Sequence, residues 1–159
     1  MKNLGEVLIR PAEPNDACGI LRCLTAAFEP YSEKYTPEAF ADTVLDEASL
    51  VRRMQRMHLL VAASGRVIVG TIAGSVASNE GHLRGMAVLP EWHRTGLAAM
   101  LLRKIEDWLK DKGCARVTLD TTLPLAAAIR FYEKNGYRRS GQVTDFFGMP
   151  LVEYVKELA

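Results

Sequence analysis

GHLRGMAVLPEWHRTGLAAMLLRKIEDWLK, residues 81–110, passes from strand to long helix through one tight turn. Leu83 to Leu89 reads as the strand, and Pro90 stops it because proline cannot donate to a sheet ladder. Leu97, Leu101, Ile105 and Trp108 then recur at helical spacing, with Leu102 and Leu109 widening the apolar stripe and Trp108 assigned to the core. Gly96 and Ala98 fall in the first helical turn. A small-residue turn feeding a helix leaves several backbone N–H groups unpaired. Those donors and the helix dipole both favour an anion, so the region from Arg94 to Ala98, with Thr95, Gly96 and Leu97, is a candidate phosphate cradle. Small residues also let a helix pack close to a strand without any ligand, and the motif alone does not separate the two.

Working outward, Val7 to Arg10 forms a first strand, and Asn15 or Asp16 caps a helix reaching about Phe28. Residues 29–36 carry a proline and two tyrosines and read as a loop or broken helix; Pro37 opens a further helix to about Glu47. Residues 48–57, rich in arginine and methionine, are unassigned; Arg52, Arg53 and Arg56 read as a solvated helix face. His58 to Ala63 and Val67 to Ala77 form a hairpin about Ser64–Arg66. Gly113 ends the long helix, and Ala115 to Asp120 alternates as a strand. Thr121 and Thr122 before Pro124 suggest a cap for a helix whose Leu125, Ile129 and Tyr132 share one face, stopping at Asn135 and Gly136. Tyr137 to Val143 and Leu151 to Leu158 are the last strands.

The expectation is an α/β (α+β) fold in a single domain over residues 1–159. A mixed, mostly antiparallel central sheet of six to seven strands is flanked by about four helices, with one parallel pair made by a right-handed crossover at 82–120. A formal charge of +1 gives no electrostatic case for nucleic acid, and the apolar runs are too short to span a bilayer. Three cysteines without a CxxC pair suit a reducing cytosol, and the scattered histidines argue against a metal site.

Two segments carry a resemblance to the GNAT superfamily of acyl-CoA N-acyltransferases. AVLPEWHRTGLA, residues 87–98, is similar to its loop signature Arg/Gln-x-x-Gly-x-Gly/Ala, with His93 where Arg or Gln is usual and Arg94 where many members have Gly. AIRFYEKNGYR, Ala128 to Arg138, closely resembles the segment Ala-Ile-x-Phe/Leu-Tyr-x-x-x-Gly-Phe. Leu125 stands where the family often has an asparagine near the pantetheine arm.

What the resemblance implies is transfer of an acetyl group from acetyl-CoA to an amine, by direct attack in a ternary complex. Backbone groups of Met86, Ala87 and Val88 would turn toward pantetheine, and those from His93 to Ala98 would hold the pyrophosphate. Tyr132 occupies the tyrosine position that protonates the departing sulfur; a thiol near about 8.5 and a phenol near about 10 are matched for that transfer. Counting back five residues from Ala87 puts His82 at the position of a glutamate base, and strand alternation sets it on the face of Arg84 and Met86. Phe28, Tyr31 and Tyr35 are candidates for lining the acceptor pocket. Asp145, Phe146 and Phe147 border that pocket or make a homodimer contact. The acceptor is expected to be a small-molecule amine, in the cytoplasm. The readings left open are a domain that binds acetyl-CoA without turnover and a protein or peptide N-acetyltransferase.

Overall fold

The computed structural model describes residues 2–158. Seven strands form one sheet: β1 (Val7–Pro11), β2 (His58–Ser64), β3 (Val67–Ala77), β4 (Glu80–Val88), β5 (Arg116–Thr122), β6 (Arg138–Phe146) and β7 (Met149–Glu157). Their order is β1-β2-β3-β4-β5-β7-β6, and only β4 and β5 run parallel. Five α-helices accompany the sheet: α1 (Ala17–Phe28), α2 (Pro37–Thr43), α3 (Glu47–Arg56), α4 (Leu97–Asp111) and α5 (Ala126–Lys134). The helix expected from Pro37 to Glu47 stops at Thr43, because Val44 turns to extended backbone. Asp46 then caps the Ser49 N–H at 2.8 Å and starts α3 across the unassigned stretch.

The α4 stripe of Leu97, Leu101, Ile105 and Leu109 is fully buried against β3 and β4. Glycines make that approach possible: a Cβ at Gly74 would stand 2.9 Å from Ile105, and one at Gly81 would stand 2.8 Å from Leu109. A bulge in β3 turns Ile68 to the opposite face, where Gly19 of α1 meets it. The sheet is thus covered on both sides. Trp108 departs from the core reading: it sits at the stripe's edge, partly exposed, stacked on His58 with ring centroids 4.3 Å apart. Glu106 is buried on α4 and accepts from Tyr137 Oη at 2.7 Å and Lys156 Nζ at 3.1 Å, tying the helix to the far strands.

At the other edge, Arg10 of β1 donates twice to Asp16, at 2.7 and 2.9 Å, fixing the entry to α1. The Arg10 hydrogen bond holds the Asp16 carboxyl below its ordinary 3.8. A lowered folded pKa means that this stabilisation is present above the ordinary carboxylate range and fades as pH falls through the folded value. Asp16→Asn is expected to lose about 1–3 kcal/mol at pH 7, from a charge-assisted pair with one buried partner. Denaturant melts at pH 7 and near pH 3 check this: the gap between wild type and variant should narrow in acid.

Two local readings of the sequence change. Thr121 and Thr122 do not cap α5; they complete β5, pairing with Val152 and Leu151, and the Thr122 hydroxyl lies 2.6 Å from Tyr35 Oη. Leu125 takes the cap position of α5 without a side-chain hydrogen bond, after Pro124 has turned the chain. The second concerns β4. Leu83 pairs with Gly74 and Val88 with Gly70, so residues five apart share the α4 face and alternation has slipped once between them. The slip is at Gly85, whose φ of +67° only glycine adopts at ease. His82 and Arg84 keep a common face, but Met86 falls on the other.

Candidate active site

β4 and β5 are paired only from Glu80–Leu83 to Arg116–Leu119. Beyond that they part, β4 following β3 to Val88 and β5 following β7 to Thr122. A cleft of about 810 Å³ opens in the gap. Met86, Ala87 and Val88 of β4 form one wall, and Ala128, Phe131 and Tyr132 of α5 form the other. Gly96, Leu97, Ala98 and Ala99 close its end at the start of α4, with His93 and Arg94 at the rim.

Ten of the eleven residues expected to bind cofactor line this cleft, Leu125 and Tyr132 among them; Thr95 does not. Its hydroxyl donates to the Trp92 carbonyl at 2.6 Å and accepts from the Leu97 N–H at 3.3 Å, so it braces the loop from behind. Gly96 adopts φ +91° and Arg94 φ +63°, a backbone that turns successive N–H groups outward. Among the described residues, the N–H groups of Gly96, Ala98 and Ala99 have no acceptor in the chain. His93 bends back, its Nε2 lying 3.1 Å from the Val88 carbonyl.

Tyr132 is 8% exposed and packs edge-on against Tyr137, ring centroids 5.7 Å apart. Its hydroxyl meets no hydrogen-bond partner among the described residues and is not sealed in, so it opens onto the cleft. Burial holds the phenol well above the ordinary tyrosine range, so the group is protonated at any physiological pH.

A smaller cavity of about 260 Å³ adjoins the cleft and shares Leu83, Arg84, Gly85, Asp120 and Leu125 with it. Its lining adds His82, Arg53, Asp42 and Tyr35. Phe28 borders both cavities, Tyr31 only the cleft, and Phe146 only the smaller one, while Phe147 is 51% exposed. His82 Nδ1 lies 2.9 Å from Thr118 Oγ1, and the Thr118 hydroxyl has the Gly81 carbonyl as its own acceptor. Thr118 therefore accepts from Nδ1–H, an assignment made from the network, which leaves Nε2 with its lone pair free. That nitrogen lies 3.7 Å from Asp120 Oδ2. Burial raises the Asp120 carboxyl above the usual range, opposed by His82.

A family model, the Acetyltransferase (GNAT) family, matches residues 20–137. The chain belongs to the acetyltransferase (GNAT) family. Among curated relatives, a probable N-acetyltransferase family 8 member 5 of Mus musculus is 28% identical over 108 residues, 63% of this chain and 48% of that protein. An aminoglycoside N(6')-acetyltransferase type 1 of Stenotrophomonas maltophilia is 29% identical over 80 residues, 50% of this chain and 52% of that one. The chain spans about half the length of the curated relatives it matches. The fold is shared with the ribosomal-protein-S18-alanine N-acetyltransferase of Escherichia coli, at TM-score 0.78 and 18% identity over 96% of this chain and 94% of that one. It is shared equally with the PaiA N-acetyltransferase of Thermoplasma acidophilum in complex with coenzyme A, at TM-score 0.78 and 20% identity over 95% and 98%.

For a GNAT chain the sequence motifs pointed to the cleft, while the residues read as base and acceptor pocket, His82, Phe28, Tyr35 and Phe146, fall on the smaller cavity. Asp120 is a residue the motifs missed. Its signal was there, since it alternates with Thr118 on a strand, but the pairing of Thr118 with His82 follows only from the parallel register. Arg53 is a second; read as part of a solvated face, it instead shares the inward face of α3 with Leu50, Met54 and Met57, apart from Arg52 and Arg56. Among the described residues no group of three His, Cys, Asp or Glu side chains is placed to hold a metal. No described helix is long and apolar enough to cross a membrane.

Proposed function

We propose that this GNAT chain moves an acetyl group from acetyl-CoA to a primary amine of a small molecule, by direct attack in a ternary complex. The observation that carries the proposal is the cleft between the parted strands, with the unpartnered Tyr132 hydroxyl in one wall and unpaired N–H groups at its end. Acetyl-CoA, as a co-substrate, supplies the acyl group activated as a thioester. The site fits it: the N–H groups of Gly96, Ala98 and Ala99 suit the pyrophosphate, with the positive end of α4 behind them. Arg94 at the rim adds a cation for a phosphate, and Met86 to Val88 offer their backbone to the pantetheine amides.

The acceptor belongs in the smaller cavity, whose volume suits a compact molecule better than a peptide segment. Its neutral nitrogen attacks the thioester carbon, and the carbon–sulfur bond breaks as the carbon–nitrogen bond forms. His82 Nε2, directly or through one water, takes the proton the nitrogen sheds, and Asp120 beside it stabilises the imidazolium. Tyr132 gives its proton to the sulfur. The unpaired Cys18, Cys23 and Cys114 accord with a cytoplasmic setting, which belongs to this proposal.

The test is thiol release from acetyl-CoA against amino acids, polyamines, aminoglycosides and short peptides. Release with a small amine supports the proposal. Release only with peptides would favour the protein-directed reading, and acetyl-CoA binding without release on any amine would favour a non-catalytic domain. The base has its own signature. His82→Ala should lower kcat/KM by about tenfold to a thousandfold near pH 7 and much less near pH 9, where more amine is already neutral. A loss that is the same at both pH values would mean that His82 serves structure or binding.

A further inference from the structure

Arg53 differs from its neighbours on α3. Arg52 and Arg56 are exposed, whereas Arg53 is half-buried and reaches into the smaller cavity. Its Nη1 stands 2.6 Å from where a Cβ on residue 85 would be, so the guanidinium lies directly over the β4 kink. The carboxylates around this cavity already have neighbours of their own. Arg84 is paired with Asp42 at 2.8 Å, and Asp120 faces His82 at 3.7 Å. Arg53 has no ion pair or side-chain hydrogen bond among the described residues. Burial, with Arg84 adding to it and Asp42 opposing it, draws its pKa down to about 10, and it remains a cation at neutral pH.

A half-buried cation with no direct ion pair costs stability that a bound anion can offset. A guanidinium is planar and forked, the shape that takes a carboxylate through two parallel hydrogen bonds. The same cavity of about 260 Å³ also holds the His82–Asp120 pair, which suits an amine. We infer that the acceptor is a small amine that itself carries a carboxylate, an α-amino acid or a close analogue, with Arg53 as the residue that binds the carboxylate. The inference rests on the acetyl-transfer reading above and on this cavity being the acceptor site.

The experiment compares the proteinogenic L-amino acids with their carboxamides, which keep the amine and remove the negative charge. Thiol release and product mass are followed with wild type, Arg53→Met and Arg53→Lys. Wild type should prefer the acid over its carboxamide by about tenfold to a hundredfold in kcat/KM, the scale of one charge-assisted contact. That preference should collapse in Arg53→Met, through KM more than kcat, and be partly kept in Arg53→Lys. Arg53→Met should also melt no lower than wild type, since a structural arginine would lower the melting temperature when removed. Equal turnover of acid and carboxamide, or a clear preference for polyamines or peptides, overturns the inference and leaves acetyl transfer standing. If no amine releases thiol, the acetyl-transfer reading falls instead. Calorimetric titration of the amino acids into the acetyl-CoA-loaded protein then decides on Arg53 alone: binding to wild type and not to Arg53→Met supports it, and no binding to either overturns it.

Discussion

Gly96→Pro is expected to weaken acetyl-CoA binding by about a hundredfold or more in Kd while most of the sheet survives. Gly96 stands at φ +91° at the start of α4, and proline holds φ near about −65°, so the loop cannot keep its course. The same change deletes one of the N–H groups assigned to the pyrophosphate. Gly96→Ala separates the two effects. It keeps the donor, meets Leu4 Cδ1 at 3.4 Å, and pays about 1–2 kcal/mol for a left-handed non-glycine residue, so affinity should fall far less than with proline. Calorimetric titration of acetyl-CoA, with circular dichroism melts to verify folding, checks both variants. Unchanged affinity in a folded Gly96→Pro protein would take the loop out of the site.

Tyr132→Phe is the second large expectation. It should lower kcat by about tenfold to a thousandfold, the range of a lost general acid, with acetyl-CoA affinity nearly unchanged. The phenyl ring preserves the packing on Phe131 and Tyr137, and the hydroxyl it removes holds no partner in the chain, so stability should barely move. Steady-state kinetics with a good acceptor, at saturating acetyl-CoA, is the measurement. A kcat equal to wild type under conditions where chemistry limits turnover would reduce Tyr132 to a packing residue.

The sequence exposed the parts of this protein that obey a single period. Leu97, Leu101, Ile105 and Leu109 announce α4 and its buried face, and Val67 to Ala77 was readable as a strand to its exact ends. The turn before α4 was readable because Gly96 and Ala98 stand at a recognisable spacing, and Tyr132 because its whole segment matches a known pattern. What stayed hidden depends on slips between periods. Gly85 shifts β4 by one residue, so the face inferred for Met86 came out reversed while that for His82 and Arg84 held. Thr122 looked like a cap because capping and strand-end threonines have the same local chemistry; only Tyr35, 87 positions away, shows where its hydroxyl goes. Arg53 was legible in part: its spacing puts it on the face of Leu50, Met54 and Met57 and away from Arg52 and Arg56, but the space above Gly85 that it enters exists only after folding.

The most direct test of the account counts two products from one reaction. Wild-type protein is incubated with acetyl-CoA and an amino acid acceptor; free thiol is titrated and the acceptor's mass is followed. The account predicts one mole of N-acetylated amino acid for each mole of thiol, at a rate that Tyr132→Phe cuts by at least about tenfold. Thiol released without acetylated acceptor, or acetylation at the same rate in Tyr132→Phe, would contradict it.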